Sequence, residues 1–129
     1  MGAYCFENVA LEEVHISNLS NWCKMSYSDW GPLTKGGKLY LNNEVIEHFI
    51  VPSDVTTMGN STFYGCSGIK SVTISEGVNT VGSRSFNNCK DLETVTMANS
   101  VTSMGDRTFM ASTKLKNVRL SNNITTLPG

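Results

Sequence analysis

The apolar positions of the chain recur at a fixed interval of 23 residues. Val55, Val78, Val101 and Ile124 keep that step, as do Met58, Val81, Met104 and Leu127. Phe63, Phe86 and Phe109 repeat it. So do Ile69, Leu92 and Leu115, then Val72, Val95 and Val118, then Ile74, Met97 and Leu120. Gly59, Gly82 and Gly105 form a glycine column in the same register. Three complete units thus occupy 55–77, 78–100 and 101–123, with part of a fourth at 124–129. Within a unit, the segment from Ile69 to Ile74 ends in period-two alternation, which predicts a short strand with one buried face. Val78 and Val81 followed by Gly82 predict a second short strand or a turn closed by a residue tolerant of positive φ. The Phe column falls in a turning stretch, where an aromatic plugs the interior while Asn and Ser satisfy the backbone. One such unit cannot bury its own apolar side, and stacked units can.

The same grammar recovers two irregular rungs upstream. Leu11-x-x-Val14-x-Ile16 matches the strand, with Phe6 before it in the aromatic column and one residue missing between. Ile46-x-x-Phe49-x-Val51 matches again and leads through Pro52 into Val55. Val14 and Phe49 lie 35 residues apart, one period plus a 12-residue insertion within 17–45. The insertion holds Trp22, Cys23, Tyr27 and Trp30, and its segment Leu39 to Val45 reads as a hairpin about Asn42-Asn43. The expectation is one domain over 1–129: an irregular rung at 1–16, the insertion, a rung at 46–54, and the regular repeats. Five strand rungs stacked at ~4.8 Å span roughly 20–25 Å.

Composition supports exposed β-structure over surface helices, since polarity comes from 15 Ser, 13 Thr and 13 Asn, with charged residues only 16% of the chain. The net charge of -1, from 10 basic and 11 acidic residues, gives no electrostatic reason to expect nucleic acid or an anionic membrane. No apolar run approaches the ~18–20 residues of a membrane span. The opening Met1-Gly2-Ala3-Tyr4-Cys5-Phe6-Glu7 has neither the basic nor the apolar region of a secretory signal. The expectation is therefore either a protein that works inside the cell that makes it or a piece of a longer exported chain.

The recurring G-x-x-x-F-x-x-C-x-x-[IL]-x-x-V-T-[IM] of residues 59–74 and 82–97 resembles the BspA-type leucine-rich repeats, a subclass common in bacterial surface proteins. The resemblance covers nearly the whole chain, and the segments 18–23 and 39–44 look like an insertion typical of the subclass. Residues 1–129 then resemble a slice of a longer array, entered and left in mid-unit. The resemblance implies a right-handed superhelix, mostly β with short helical or 3-10 turns, and a parallel strand ladder on the concave side. It also implies adhesion or protein recognition at the cell surface or after secretion, and it carries no catalytic residue and no cofactor.

Candidate chemistry is sparse. Cys66 and Cys89 share a column with Ser112 and Val9, which reads as a small buried slot for free thiols, since side chains in a parallel ladder point the same way and would strain a disulfide. Cys5 and Cys23 pair with each other or stay free. Nothing resembles a zinc spacing. His15 and His48, with Glu13 and Glu47 nearby, fall on strand rungs and would approach diagonally if those rungs were adjacent. A His/Glu cluster can hold metal or move protons, but with no nucleophile or phosphate-binding loop beside it the pair reads as solvated surface.

The better functional expectation lies with the outward strand positions, which flank the buried pair of each rung: Glu13 and His15, His48 and Ile50, Ser71 and Thr73, Thr94 and Thr96, Asn117 and Arg119. Solenoids use such an extended sheet to bind. Tyr27 and Trp30 in the insertion would add exposed aromatics beside it, and Trp22 is the tryptophan expected to be buried. The leading reading is a non-enzymatic recognition module of a bacterial surface or secreted protein, with a protein partner. The rival is a small intracellular protein that binds and inhibits another protein. Coils with unpaired ends also predict dimers or end-to-end stacking.

Overall fold

The computed structural model describes residues 11–27 and 31–124. Cys5, Phe6, Val9, Trp30 and Leu127 lie outside these. Stacked parallel coils form a β-solenoid of about five turns, the architecture that the 23-residue period predicts. Four strands, β4 (His48–Val51), β6 (Ser71–Ile74), β8 (Thr94–Met97) and β10 (Asn117–Arg119), pair in parallel as one ladder. A second ladder joins the two-residue strands β5 (Thr57–Met58), β7 (Thr80–Val81) and β9 (Ser103–Met104). Both keep the 23-residue register, with Val72 beside Val95 and Met58 beside Val81.

Alternation decides what each strand buries. On β4 and β6 the inner residues Phe49, Val51, Val72 and Ile74 are buried while their neighbours face solvent. Between the ladders the phenylalanine column forms a stack. Phe63 and Phe86 lie 5.3 Å apart and nearly coplanar, Phe86 and Phe109 6.0 Å apart, and Phe49 packs on Phe63 at 4.9 Å.

The glycine column has a different cause from the one its sequence suggests. Gly59, Gly82 and Gly105 are not in the left-handed region. They are glycine because the coils touch there: a Cβ on Gly82 would lie 2.6 Å from the Gly59 carbonyl, and one on Gly105 2.3 Å from the Ser83 backbone nitrogen. The left-handed positions fall one turn later, at Ser61, Arg84 and Arg107 and again at Gly65, Asn88 and Ala111. Hydroxyl and amide side chains tie the turns across coils. Asn60 accepts from the Ser83 N–H at 2.9 Å, and the Ser85 hydroxyl donates to the Gly59 carbonyl at 3.1 Å.

Before this array the insertion builds one enlarged coil. β1 (Glu13–Ile16) pairs in parallel with β2 (Lys38–Leu41), which turns back through Asn42 and Asn43, both at positive φ, into β3 (Glu44–Val45). The hairpin closes where its sequence indicates. Between β1 and β2 a short helix, α1 (Leu19–Lys24), starts at Asn18, whose side chain caps the Asn21 N–H at 2.9 Å. The end of α1 stacks on the first regular coil: the Cys23 carbonyl accepts from the Gly59 N–H at 2.9 Å. Trp22, 5% exposed, meets Phe63 edge-on at 6.4 Å and continues the aromatic column with a different residue. Its indole N–H finds no partner among the described residues, so Trp22 serves there as a shape and not as a donor.

The cysteine column is a donor position as well as a small slot. The Cys89 thiol points at the Phe63 carbonyl at 3.1 Å, and the Ser112 hydroxyl donates to the Phe86 carbonyl at 2.7 Å, the equivalent atom one coil on. Cys23, Cys66 and Cys89 are free and buried. Burial pushes the Cys23 and Cys66 thiols up to about 12 and raises Cys89 well above its ordinary value.

This packing sets the outcome of four measurements. Phe86→Ala should cost about 3–5 kcal/mol in urea unfolding, because neighbours on two coils cannot collapse into the void. Gly82→Ala should cost about 1–3 kcal/mol by overpacking, whereas an ordinary loop glycine would tolerate alanine. In the folded protein the three thiols, tested in a Cys5→Ser background, should resist a thiol reagent at pH 8 and react once urea unfolds the chain. Their neutral forms are favoured in the native state, so stability is retained below the free-thiol value near 9 and declines as pH rises towards 12. Rapid labelling at pH 8 without urea would contradict this packing.

Candidate binding face

The main ladder brings eight of the outward positions into two straight rows. His48, Ser71, Thr94 and Asn117 are register partners in one row, and Ile50, Thr73, Thr96 and Arg119 in the other. The first pair of strands fixes the chemistry of the row ends: His48 Nδ1 lies 2.7 Å from Ser71 Oγ, a bond between neighbouring rungs. Ile50 is 63% exposed, which leaves a branched apolar side chain standing in water among hydroxyls. Outside the rows runs a column of alternating charge. Lys70 meets Glu47 at 3.7 Å, and Lys116 meets Glu93 at 3.4 Å. These exposed pairs contribute little to stability, and they flank the rows with both signs of charge.

Glu13 and His15 stand elsewhere. β1 and β2 form a separate sheet with β3, so the β2–β3 hairpin follows the first rung and His15 does not approach His48. His15 instead stacks on Tyr40, ring centroids 4.5 Å apart, and lies 3.0 Å from Glu13. That hydrogen bond holds the Glu13 carboxyl below its ordinary value, while desolvation and the same carboxylate push the Tyr40 hydroxyl up. Tyr40 belongs to this small cluster, and nothing in the sequence pattern singled it out. The register of the hairpin against β1 was the missing information.

Tyr27 requires a correction. It is 6% exposed and packs against Trp22 at 6.2 Å, with its hydroxyl 3.4 Å from the Met25 sulfur. The enlarged coil needs a core of its own, and Trp22, Tyr27 and Leu33 supply it, so Tyr27 is not an exposed aromatic beside the sheet. Trp22 is buried, as expected of it. Trp30 lies outside the described residues.

Among the described residues no group of His, Cys, Asp and Glu is clustered to hold a metal, and no helix is long and apolar enough to cross a membrane. The two rows carry four hydroxyls, with His48 and Ile50 on the edge strand β4 and Asn117 and Arg119 on the opposite edge strand β10. No curated protein and no solved structure matches the chain. A family model described as the BspA-type leucine-rich repeat region matches in six copies over residues 36–129. Repeats of this kind are generally non-enzymatic scaffolds for protein interaction, in a family that is typically surface-associated. With the 23-residue register, the paired ladders and this match in agreement, the chain belongs to the BspA-type leucine-rich repeat family.

Proposed function

We propose that the chain is a recognition module of a bacterial surface or secreted protein, and that it binds a protein partner through the rows of β4, β6, β8 and β10. The observation that carries this reading is Ile50, 63% exposed beside Thr73 on the edge strand β4, where every other position of the two rows is polar. A lone exposed isoleucine is ordinary, but one held at the edge of a rigid parallel ladder, beside rows of polar side chains, is placed to enter a partner's pocket. The hydroxyls around it are short and lose little side-chain entropy when they bind. Four strands at ~4.8 Å give the face a height of about 14 Å, enough for a partner strand or helix to lie across it. Near-neutral charge favours a partner chosen by shape and hydrogen bonding over one attracted at long range.

The family resemblance supports adhesion as the biological use of such binding. Capture from a host extract, and not from lysate of the producing cell, is the expected result for a surface adhesin.

Thr73→Arg together with Thr96→Arg should weaken the captured interaction at least about tenfold, or about 1.4 kcal/mol. The melting temperature should move by less than about 3 °C, since both side chains face outward. Ile50→Asp should act in the same direction. Binding that survives all three changes would reject the strand face as the site.

A further inference from the structure

The outermost rungs of the stack leave open the columns that its interior buries. In the last coil β10 pairs with β8 and with no other strand among the described residues. Val118 is 40% exposed and Leu120 36%, whereas one coil back the same columns hold Val95 at 0% and Met97 at 3%. At the opposite end β1 likewise has a single partner, β2. Val14 and Ile16 are half-buried there, and with Leu11, Trp22 and Met25 they line an apolar hollow of about 280 Å³.

The two ends differ in charge. Residues 1–77 hold eight acidic and four basic side chains, and residues 78–129 hold three acidic and six basic ones. The outermost rungs show the same division: Leu11-Glu12-Glu13-Val14-His15-Ile16 at one end, Leu115-Lys116-Asn117-Val118-Arg119-Leu120 at the other. Their apolar positions coincide one for one, Leu11 with Leu115, Val14 with Val118 and Ile16 with Leu120. Between the first two of these, Glu12 coincides with Lys116.

That pairing extends an order already present inside the molecule. The column of Glu12 continues through Glu47, Lys70, Glu93 and Lys116, and from Glu47 onward it alternates in sign. Lys70 meets Glu47 at 3.7 Å and Lys116 meets Glu93 at 3.4 Å. After Lys116 the alternation calls for an acid. Glu12 is exposed and makes no ion pair among the described residues, and Arg119 is exposed and makes none either.

We infer that the last coil of one copy stacks on the first coil of a second copy, head to tail and in register. In this contact β10 pairs in parallel with β1 of the next copy, as β8 does with β10 inside one chain. Val118 and Leu120 cover Val14 and Ile16 and close the hollow beside them. Lys116 meets Glu12, and Arg119 comes beside His15, which Glu13 already holds at 3.0 Å. Burial of the apolar columns supplies the attraction. Charge and register supply the selectivity. A slip of one residue turns the apolar side chains to the wrong face, and a tail-to-tail contact brings two basic ends together. Because the two surfaces differ, copies related by the stacking step of one coil extend along the solenoid axis and do not close into a ring. The inference stands without the reading of the strand face, whose rows stay open in such a stack.

Sedimentation of the full chain tests this. The average mass should rise steadily with concentration at about 0.1 M salt, and less so at about 1 M, where charges are screened within ~3 Å. Glu12→Lys and Lys116→Glu, each alone, should weaken the association at least about tenfold by setting like charges together. Both positions are exposed, so the melting temperature should move by less than about 3 °C. An equimolar mixture of these two variants should associate as the parent does, since every contact in an alternating stack regains one acid and one base. Leu120→Asp should remove the association. A chain that stays monomeric up to about 1 mM, or species that stop at a dimer, would overturn the inference. So would a Glu12→Lys protein that associates as the parent does, or a mixture of the two variants that fails to associate.

Discussion

Everything in this molecule depends on backbone contact between coils held in a single register. Lys70 donates to Glu47, Glu93 to Lys70 and Lys116 to Glu93, each bond repeating the last one coil further along. At the turns the direction reverses, with Phe63 donating to Ser85, and Phe86 to Thr108. A coil with such neighbours on both sides has its polar backbone satisfied without any helix or wide sheet of its own. The cost is steric. Where the chains approach most closely no Cβ fits, and Gly59, Gly82 and Gly105 mark that line. Inside, the same spacing brings the phenylalanine rings to 5.3 and 6.0 Å, close enough to stack. The glycine line and the aromatic column are two consequences of one inter-coil distance.

That dependence explains what could be read from the sequence. A strict period writes the identity of each contact three times over, so the strands and their inner faces are visible without coordinates. What the period cannot write is the cause of a column. The glycines looked like turn residues because turns are where glycine is most often needed, yet the left-handed positions lie at Ser61, Arg84 and Arg107, where no glycine signals them. The Cys/Ser column looked like a volume constraint, and it is also a donor to the carbonyl of the preceding phenylalanine.

The insertion shows the complementary failure. Outside the repeat there is no second copy to average over, and local composition misled. By composition Tyr27 reads as a surface aromatic, since aromatics in an insertion often stand out. A widened coil has a larger interior, however, and Trp22, Tyr27 and Leu33 are drawn into it. Leu11-x-x-Val14-x-Ile16 has the pattern of a rung, and it is one, but its register partner comes from the hairpin and not from β4. Two similar strands 35 residues apart therefore belong to different sheets, which separates Glu13 and His15 from the other outward residues. A pattern match identifies a strand's faces, while its neighbour is settled by whatever length of chain returns in between.

The division between fixed and variable columns also bears on where specificity can reside. Inner columns vary only within apolar limits, Val72 to Val95 or Ile74 to Met97, because each change is felt on two neighbouring coils. Outer columns carry no such coupling, and there the same register position runs from His48 through Ser71 and Thr94 to Asn117. The turn column behaves likewise, from Ser61 to Arg84 and Arg107, even though the left-handed backbone taxes the larger residues. A solenoid thus separates folding from recognition by geometry: a residue's distance from the inter-coil contact sets how freely it varies. On that argument the strand rows and the turn column are where chemistry can be specified coil by coil without disturbing the stack that displays it.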